Sequence, residues 1–308
     1  MVSQTSLILV RQNEPLQIKR LRAQRHIYGH AKLILALQSV MVVAIPALGA
    51  LFVIYRPEWK ATLAFYGISI AILDSVVLEP LHKRLRRRAA KIQEAFDCYV
   101  LELPWDKTHI GSPVEEEDIH SASTAHHRGR PDDQLLNWYP AAIAEIRLPL
   151  GRIICQRANL RWDADLRRRC RFALASLLFI LSIGISWAGL QGGTTLELLT
   201  LGVLAPLAPI LLWGIREFQK HGEAAETTER LREKSNDLWK KALEEKLSDT
   251  DLLSQSRQLQ SEIYDRRSSA PMIFDWIYKL LRSRLEDQMS VAAEELVSQA
   301  KSSSVSRP

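Results

Sequence analysis

Arg152, Gln156, Asn159 and Asp163 follow one another at steps of four, three and four, so a helix would place a guanidinium, two amides and a carboxylate on one face. Arg157 stands beside them, and Trp105, Trp138, Tyr139 and Trp162 lie on or next to the same helical stretches. That set suits a nucleotide-like anion, with charge for phosphate, amide edges for bases and flat rings for stacking. It also suits a helix–helix interface with buried polar pairs, and composition alone favours the interface.

A second set lies inside apolar sequence. Asp74 is the carboxylate set well within an apolar run, on a stripe with Ala64, Gly67, Ala71 and Ser75 that lets helices approach closely. A charge at bilayer depth costs about 2.5–3.5 kcal/mol on insertion scales and faces protein or water. Asp74 therefore reads either as a pore-lining or gating group or as one half of a pair with a neighbouring Lys or Arg. Pro46, Pro206 and Pro209 predict kinks, the last two in the fourth apolar run, where gating residues are also expected. Glu197 opens that run, where the helix dipole and the interface make an acid cheap.

Other chemistry finds little support. The chain has no GxxxxGK[ST], GxGxxG after a strand, HExxH or GxSxG, so an enzyme is the weaker class and no catalytic residue is assigned. Glu115 to Asp118 with His120, His126, His127, Asp132 and Asp133 match no metal cage and read as a solvated acidic loop. Cys98, Cys155 and Cys170 form neither a CxxC nor an even framework, and reduced thiols are expected.

The elements that must position these residues are helices. Average composition, with 47% hydrophobic and 25% charged residues, hides strong clumping. Residues 33–55 carry no charge and, as a helix, extend about 34 Å, enough for a hydrocarbon core of about 30 Å. Residues 61–78, 172–190 and 196–215 are shorter apolar runs bounded by charge or turn residues. The links at 56–60 and 191–195 are too short for anything but tight turns, so the chain reads as an all-α integral membrane protein with two transmembrane hairpins, four spans in all. Eighteen Lys and Arg flank one side of these spans, and Arg56 and Lys60 the other. That bias puts both termini in the cytoplasm, and the basic clusters read as anchors for anionic lipids rather than as DNA or RNA contacts.

The cytosolic part comprises residues 1–32, 79–171 and 216–301, with a frayed tail at 302–308. Glu79-Pro80 reads as a turn, after which Ile92, Ala95, Phe96, Tyr99 and Leu103 mark an amphipathic helix stopped by Pro104. Residues 108–133 read as a long loop, and a helix from Pro140 runs into the third span. Ser248 with Asp249 and Asp251 resembles a helix cap, and Ile273, Phe274, Ile277, Leu281 and Leu285 predict a last helix after a break at residues 266–271.

Particular strings are more specific. Arg11-Gln12-Asn13-Glu14, Leu21-Arg22-Ala23-Gln24-Arg25, Lys91-Ile92-Gln93-Glu94 with Phe96-Asp97, Leu103-Pro104-Trp105, Trp138-Tyr139-Pro140 and Arg152 to Asn159 resemble the SMODS-associated four-transmembrane pore-forming effectors of bacteria. The resemblance extends through Phe274-Asp275-Trp276 and Ala292 to Leu296. It implies anti-phage defence by abortive infection: a cyclic oligonucleotide from a cognate nucleotidyltransferase binds, and the effector permeabilises the inner membrane. It carries no catalytic residues and implies no cofactor beyond that activating ligand. Four helices are too thin to enclose a wide aqueous path, so such an effector must be a homo-oligomer. The other reading is a non-conducting membrane scaffold or receptor whose cytosolic helices recruit a protein partner.

Overall fold

The computed structural model describes residues 6–127, 132–191, 200, 205–244, 247–273 and 291–303, and among these every regular element is helical. Most of the first half of the fourth run (196–199 and 201–204), residues 192–195 of the turn before it, and residues 274–285 of the expected last helix lie outside the described residues. The chain divides into two compact units, one of residues 1–29, 85–166 and 224–308, the other of 30–84 and 167–223.

The second unit is built from long helices. Helices α1 (Ser6–Arg11) and α2 (Pro15–Ser39) open the chain; α2 continues through a wide π-turn, Val40–Ala44, into α3 (Ile45–Tyr55). A short 3-10 turn, Pro57–Trp59, reverses the chain into α4 (Lys60–Leu73), which passes through a second π-turn, Asp74–Leu78, into α5 (Glu79–Val100). Among the described residues these two helical paths, 15–53 and 57–100, are long and apolar enough to cross a membrane. Their mates in the unit are the later part of α8 (Leu148–Gln191) and the earlier part of α9 (Ala205–Leu243).

Proline explains both wide turns. Pro46 and Pro80 each stand six residues after the first residue of a π-turn. A proline ring clashes with the carbonyl four residues back and lacks an N–H; inside an α-helix that costs about 3 kcal/mol. Widening one turn moves the bonding to five residues back: the Ile45 N–H reaches the Val40 carbonyl, and the Glu79 N–H reaches that of Asp74. In this register residue 46 would serve the Met41 carbonyl, and the missing donor is supplied by the Tyr66 hydroxyl at 3.1 Å. The turn expected at Glu79-Pro80 is thus absent, because the widened turn absorbs the proline and the helix runs on.

Small residues set close approach here. A Cβ on Gly49 would stand 2.7 Å from a Leu63 methyl, and one on Gly214 would collide with a Leu178 methyl. Val42, Ile70 and Trp213 form one buried cluster and Ala47, Ala50, Leu207 and Ile210 another. Outside them Phe65, Ile68, Ile72, Phe179, Ile180 and Leu212 each leave 60% or more of their surface exposed. An apolar mantle on that scale requires an apolar surrounding.

The first unit has a conventional core: Ile8, Leu21, Phe96, Leu101, Ile143, Ile153, Ile154, Leu160, Leu231, Leu259 and Ile263 bury together. The expected loop over 108–133 contains two helices, α6 (Lys107–Ile110) and α7 (Glu116–His127). The acids that looked like loop sequence are the first-turn acids of α7, which favour a helix N-terminus, and Ile119 seals its inner face. Asp118 pairs with Arg88 at 2.6 Å. Beyond them a 3-10 turn, Ala141–Glu145, precedes α8, so the helix expected from Pro140 starts at Leu148. Helix α10 (Asp249–Ser269) begins with a capping box between Ser248 and Asp251, as its sequence suggests, and residues 291–303 form α11. Helix α10 runs through Arg266 and Arg267, where a break is expected, and ends at Ala270.

Candidate functional site

The face carrying Gln156 and Asn159 is drawn into a buried polar network of the first unit. Helix α5 presents Glu94 and Asp97, both fully buried, three residues apart. Asp97 accepts from the Tyr139 hydroxyl at 2.7 Å, from the Gln260 amide at 3.1 Å and from the Arg267 guanidinium at 2.5 Å. Glu94 accepts from Arg257 at 2.7 Å and from the same Gln260 amide at 2.9 Å. Gln156, itself wholly buried, donates to Gln260 Oε1 at 3.1 Å and to the Ser256 carbonyl at 2.8 Å, and the Asn159 amide reaches the Tyr139 hydroxyl at 3.4 Å.

Electrostatics follow from that burial. Desolvation, reinforced by Asp97, holds the Glu94 carboxyl above its ordinary range despite Arg257. Burial raises the Tyr139 phenol well above its usual value, so it stays a hydrogen-bond donor to Asp97. Burial would lower the Arg267 guanidinium, but Asp97 and Glu94 outweigh it and keep it charged. Burial likewise lifts the thiols of Cys98 and Cys155 and leaves them unreactive.

The remaining ligand candidates separate by position. Arg152 is buried and gives its Nε–H to the Leu101 carbonyl at 2.8 Å, beside Glu102, whose φ of 52° is left-handed. It thereby holds the C-terminal turn of α5. Trp105 donates to the Gly111 carbonyl at 2.9 Å and is half-buried, as are Trp138, which meets Phe96 edge-on with ring centres 6.1 Å apart, Arg157 and Asn159. The side chains of Trp162 and Asp163 lie outside those described.

The string Arg11 to Glu14 proves to be a clamp. Arg11 pairs with Glu102; Gln12 accepts the Tyr139 backbone N–H at 2.7 Å; Asn13 and Asn137, whose φ is also 52°, bond reciprocally at 2.9 Å; Glu14 accepts the Tyr99 hydroxyl at 2.8 Å. Four consecutive residues thus fasten the two chain reversals that flank Asp97 and Tyr139. Tyr99, expected on the inner stripe of α5, points outward to make this contact, and Glu94, Asp97 and Val100 take the inner positions.

Sequence reasoning missed Glu94, Asp97, Arg257, Gln260 and Arg267 as a group. A signal existed: Leu252, Ser256, Leu259, Gln260, Ile263 and Arg267 fall at helical spacing on one side of α10, so polar residues interrupt an apolar stripe.

In the second unit Asp74 is buried, accepting from the Gln38 amide at 2.5 Å and from Arg216 Nη2 at 2.9 Å. One step further Glu79 accepts from Lys220 at 3.0 Å, which also reaches Glu217 at 2.9 Å. Asp74 is therefore paired with a base, the arrangement open in the sequence beside a gating role. Pro206 and Pro209 belong to the first five residues of α9; their side chains and the residues before Ala205 lie outside the described part.

A curated relative, a probable CBASS effector molecule of Bacillus cereus (strain VD146), is 25% identical over 292 residues, 92% of this chain and 95% of that protein. No solved structure matches the chain. The family described as the SMODS-associating 4TM effector domain matches residues 6–296, which takes in the clamp, the buried network and the Asp74 pair alike. The chain belongs to the family of SMODS-associating 4TM effector domains.

Proposed function

We propose that this protein is a membrane effector of anti-phage defence: the first unit reads a cyclic oligonucleotide made by a cognate nucleotidyltransferase, and several copies of the second unit permeabilise the bacterial inner membrane. The observation that carries the reading is the contrast between the units within a chain of this family. One encloses an ionic network around the fully buried Glu94 and Asp97, while the other turns Phe65, Ile68, Phe179 and Leu212 outward over small apolar clusters. The relative's description as a probable CBASS effector supports the same role.

Under this reading the four runs 33–55, 61–78, 172–190 and 196–215 cross the bilayer with both termini cytoplasmic, and a reporter fused at Trp59 reads as periplasmic. The half-buried Arg157, Asn159, Trp105 and Trp138 contact the anion. Arg152, Gln156 and Tyr139, buried and hydrogen-bonded among α5, α8 and α10, transmit its binding. Asp74, with Pro206 and Pro209, belongs to the output. Lys and Arg at the span ends rest against anionic lipid.

Co-expression with the cognate nucleotidyltransferase tests this in cells. Membrane potential, read with a potential-sensitive dye, should collapse before growth stops, and only when both proteins are present. Growth arrest with potential intact would instead favour a scaffold that recruits a protein partner.

A further inference from the structure

The spacing of the two acid–base pairs does not fit a regular helix. Asp74 and Glu79 are five residues apart, whereas their partners Arg216 and Lys220, on α9, are four apart. In an α-helix, at about 100° per residue, a step of four returns to within about 40° of the same face and a step of five overshoots it by about 140°. The acids meet their bases because the segment between them, Asp74–Leu78, is a π-turn that takes five residues to make the circuit, closed by the Glu79 N–H on the Asp74 carbonyl. Both acids are at least nine-tenths buried, and a miss by about 100° would leave Asp74 without its cation, whereas Glu79 also has Lys83 of its own helix at 3.3 Å.

We infer that this π-turn is a two-state register element: in the wide state both pairs close, and in the regular α state the helix on the Asp74 side swings by about 100°, parting Asp74 from Arg216 and Gln38 while Glu79 keeps Lys220. Gln38 from α2 and Arg216 from α9, which both donate to Asp74, are lost together in that swing. Pro80 favours the wide state, since the α state brings its ring against the Val76 carbonyl. The element is therefore held by two opposed local effects, an unfavourable wide turn against a proline clash and a buried charge pair. Where the output is membrane permeabilisation, a meaning that rests on the reading above, the wide state is the closed one; the register exchange itself stands without that reading.

Deleting Val77 in a Pro80→Ala background tests it. Removal of one residue leaves Asp74 and Glu79 four apart, and without the proline ring the segment is a plain α-helix, so both pairs persist while the alternative register vanishes. In protein reconstituted in phosphatidylethanolamine–phosphatidylglycerol vesicles, a double-mutant cycle on Asp74→Asn and Arg216→Gln should give a coupling within about threefold of the parent's, and deuterium exchange of the amides at 75, 76, 78 and 79 should slow by about tenfold or more. Deleting Val76 and Val77 together should abolish the coupling. Loss of coupling on the single deletion would show that the turn does not set the register, and unchanged exchange would show that it does not interconvert; either result overturns the inference. Failure of the vesicles to leak with any nucleotide would count against the proposed function and leave both readouts standing.

Discussion

Arg267→Met removes one cation from the buried network while keeping the length and apolar stem of the side chain. Arg267 is buried and bonded to the fully buried Asp97. Removing one partner of such a pair costs about 3–5 kcal/mol, because the remaining charge is uncompensated. Asp97 keeps the Tyr139 and Gln260 donors at 2.7 and 3.1 Å, so the lower end applies, roughly 3 kcal/mol. For a unit of this size a kilocalorie moves the melting point by about 2–4 °C, and a drop of roughly 6–12 °C is expected. Tryptophan fluorescence reports it in detergent solution, since Trp138 packs on Phe96 and Trp239 is buried, both in the first unit. The double variant Asp97→Asn with Arg267→Met, which removes both charges, should recover more than half of the loss. A single variant melting within about 2 °C of the parent would refute the view that this pair holds the unit together.

Three further outcomes follow from particular contacts. Tyr66→Phe strips the donor from the Met41 carbonyl, and by the range measured for hydrogen bonds within membranes it should destabilise the second unit by about 0.6–1.7 kcal/mol in detergent titrations, while Phe65→Tyr, on an exposed position, should change nothing. Glu94 has a raised folded-state pKa, so the folded state holds its proton more tightly than the unfolded one; stability is complete below the ordinary carboxylate value of about 4.3 and declines as pH rises through the elevated one. The melting point of the parent should fall over that window by an amount missing in Glu94→Gln, and parallel pH curves would contradict it. Arg157→Ala should weaken binding of the activating cyclic oligonucleotide about tenfold to a hundredfold by calorimetry, as charge-assisted bonds of about 1.5–3 kcal/mol imply, while the protein still inserts.

Much of the helical plan was legible because apolar runs and caps act locally. The run at 33–55 forms helix, and Ser248 caps α10 through its own side chain. What was hidden depends on partners far away in sequence. Nothing within α5 itself marks Glu94 and Asp97 as buried; Arg257 and Arg267, over 160 residues later, are what meet them. Helix α7 was hidden by its acids, which look like solvated loop but stabilise a helix start and meet Lys19, Arg20 and Arg88. The π-turns were half-legible: Pro46 marks a disturbance, yet whether a helix breaks, kinks or widens depends on Tyr66 being there to satisfy the freed carbonyl. Of the ligand candidates placed on one helical face, Gln156 and Asn159 meet the buried network while Arg152 holds the Leu101 carbonyl; spacing alone says nothing of whether a polar face meets a ligand or another helix.

The central claim, that one cyclic oligonucleotide opens the membrane through this protein alone, is tested most directly by dye release from vesicles of phosphatidylethanolamine and phosphatidylglycerol containing the purified full chain. Cyclic dinucleotides and trinucleotides are added one at a time beside their linear counterparts. The expected result is rapid release with one cyclic compound, none with its linear form, and a rate that rises more steeply than linearly with the number of chains per vesicle. Tight binding of a cyclic compound with no release at any chain density would contradict the account.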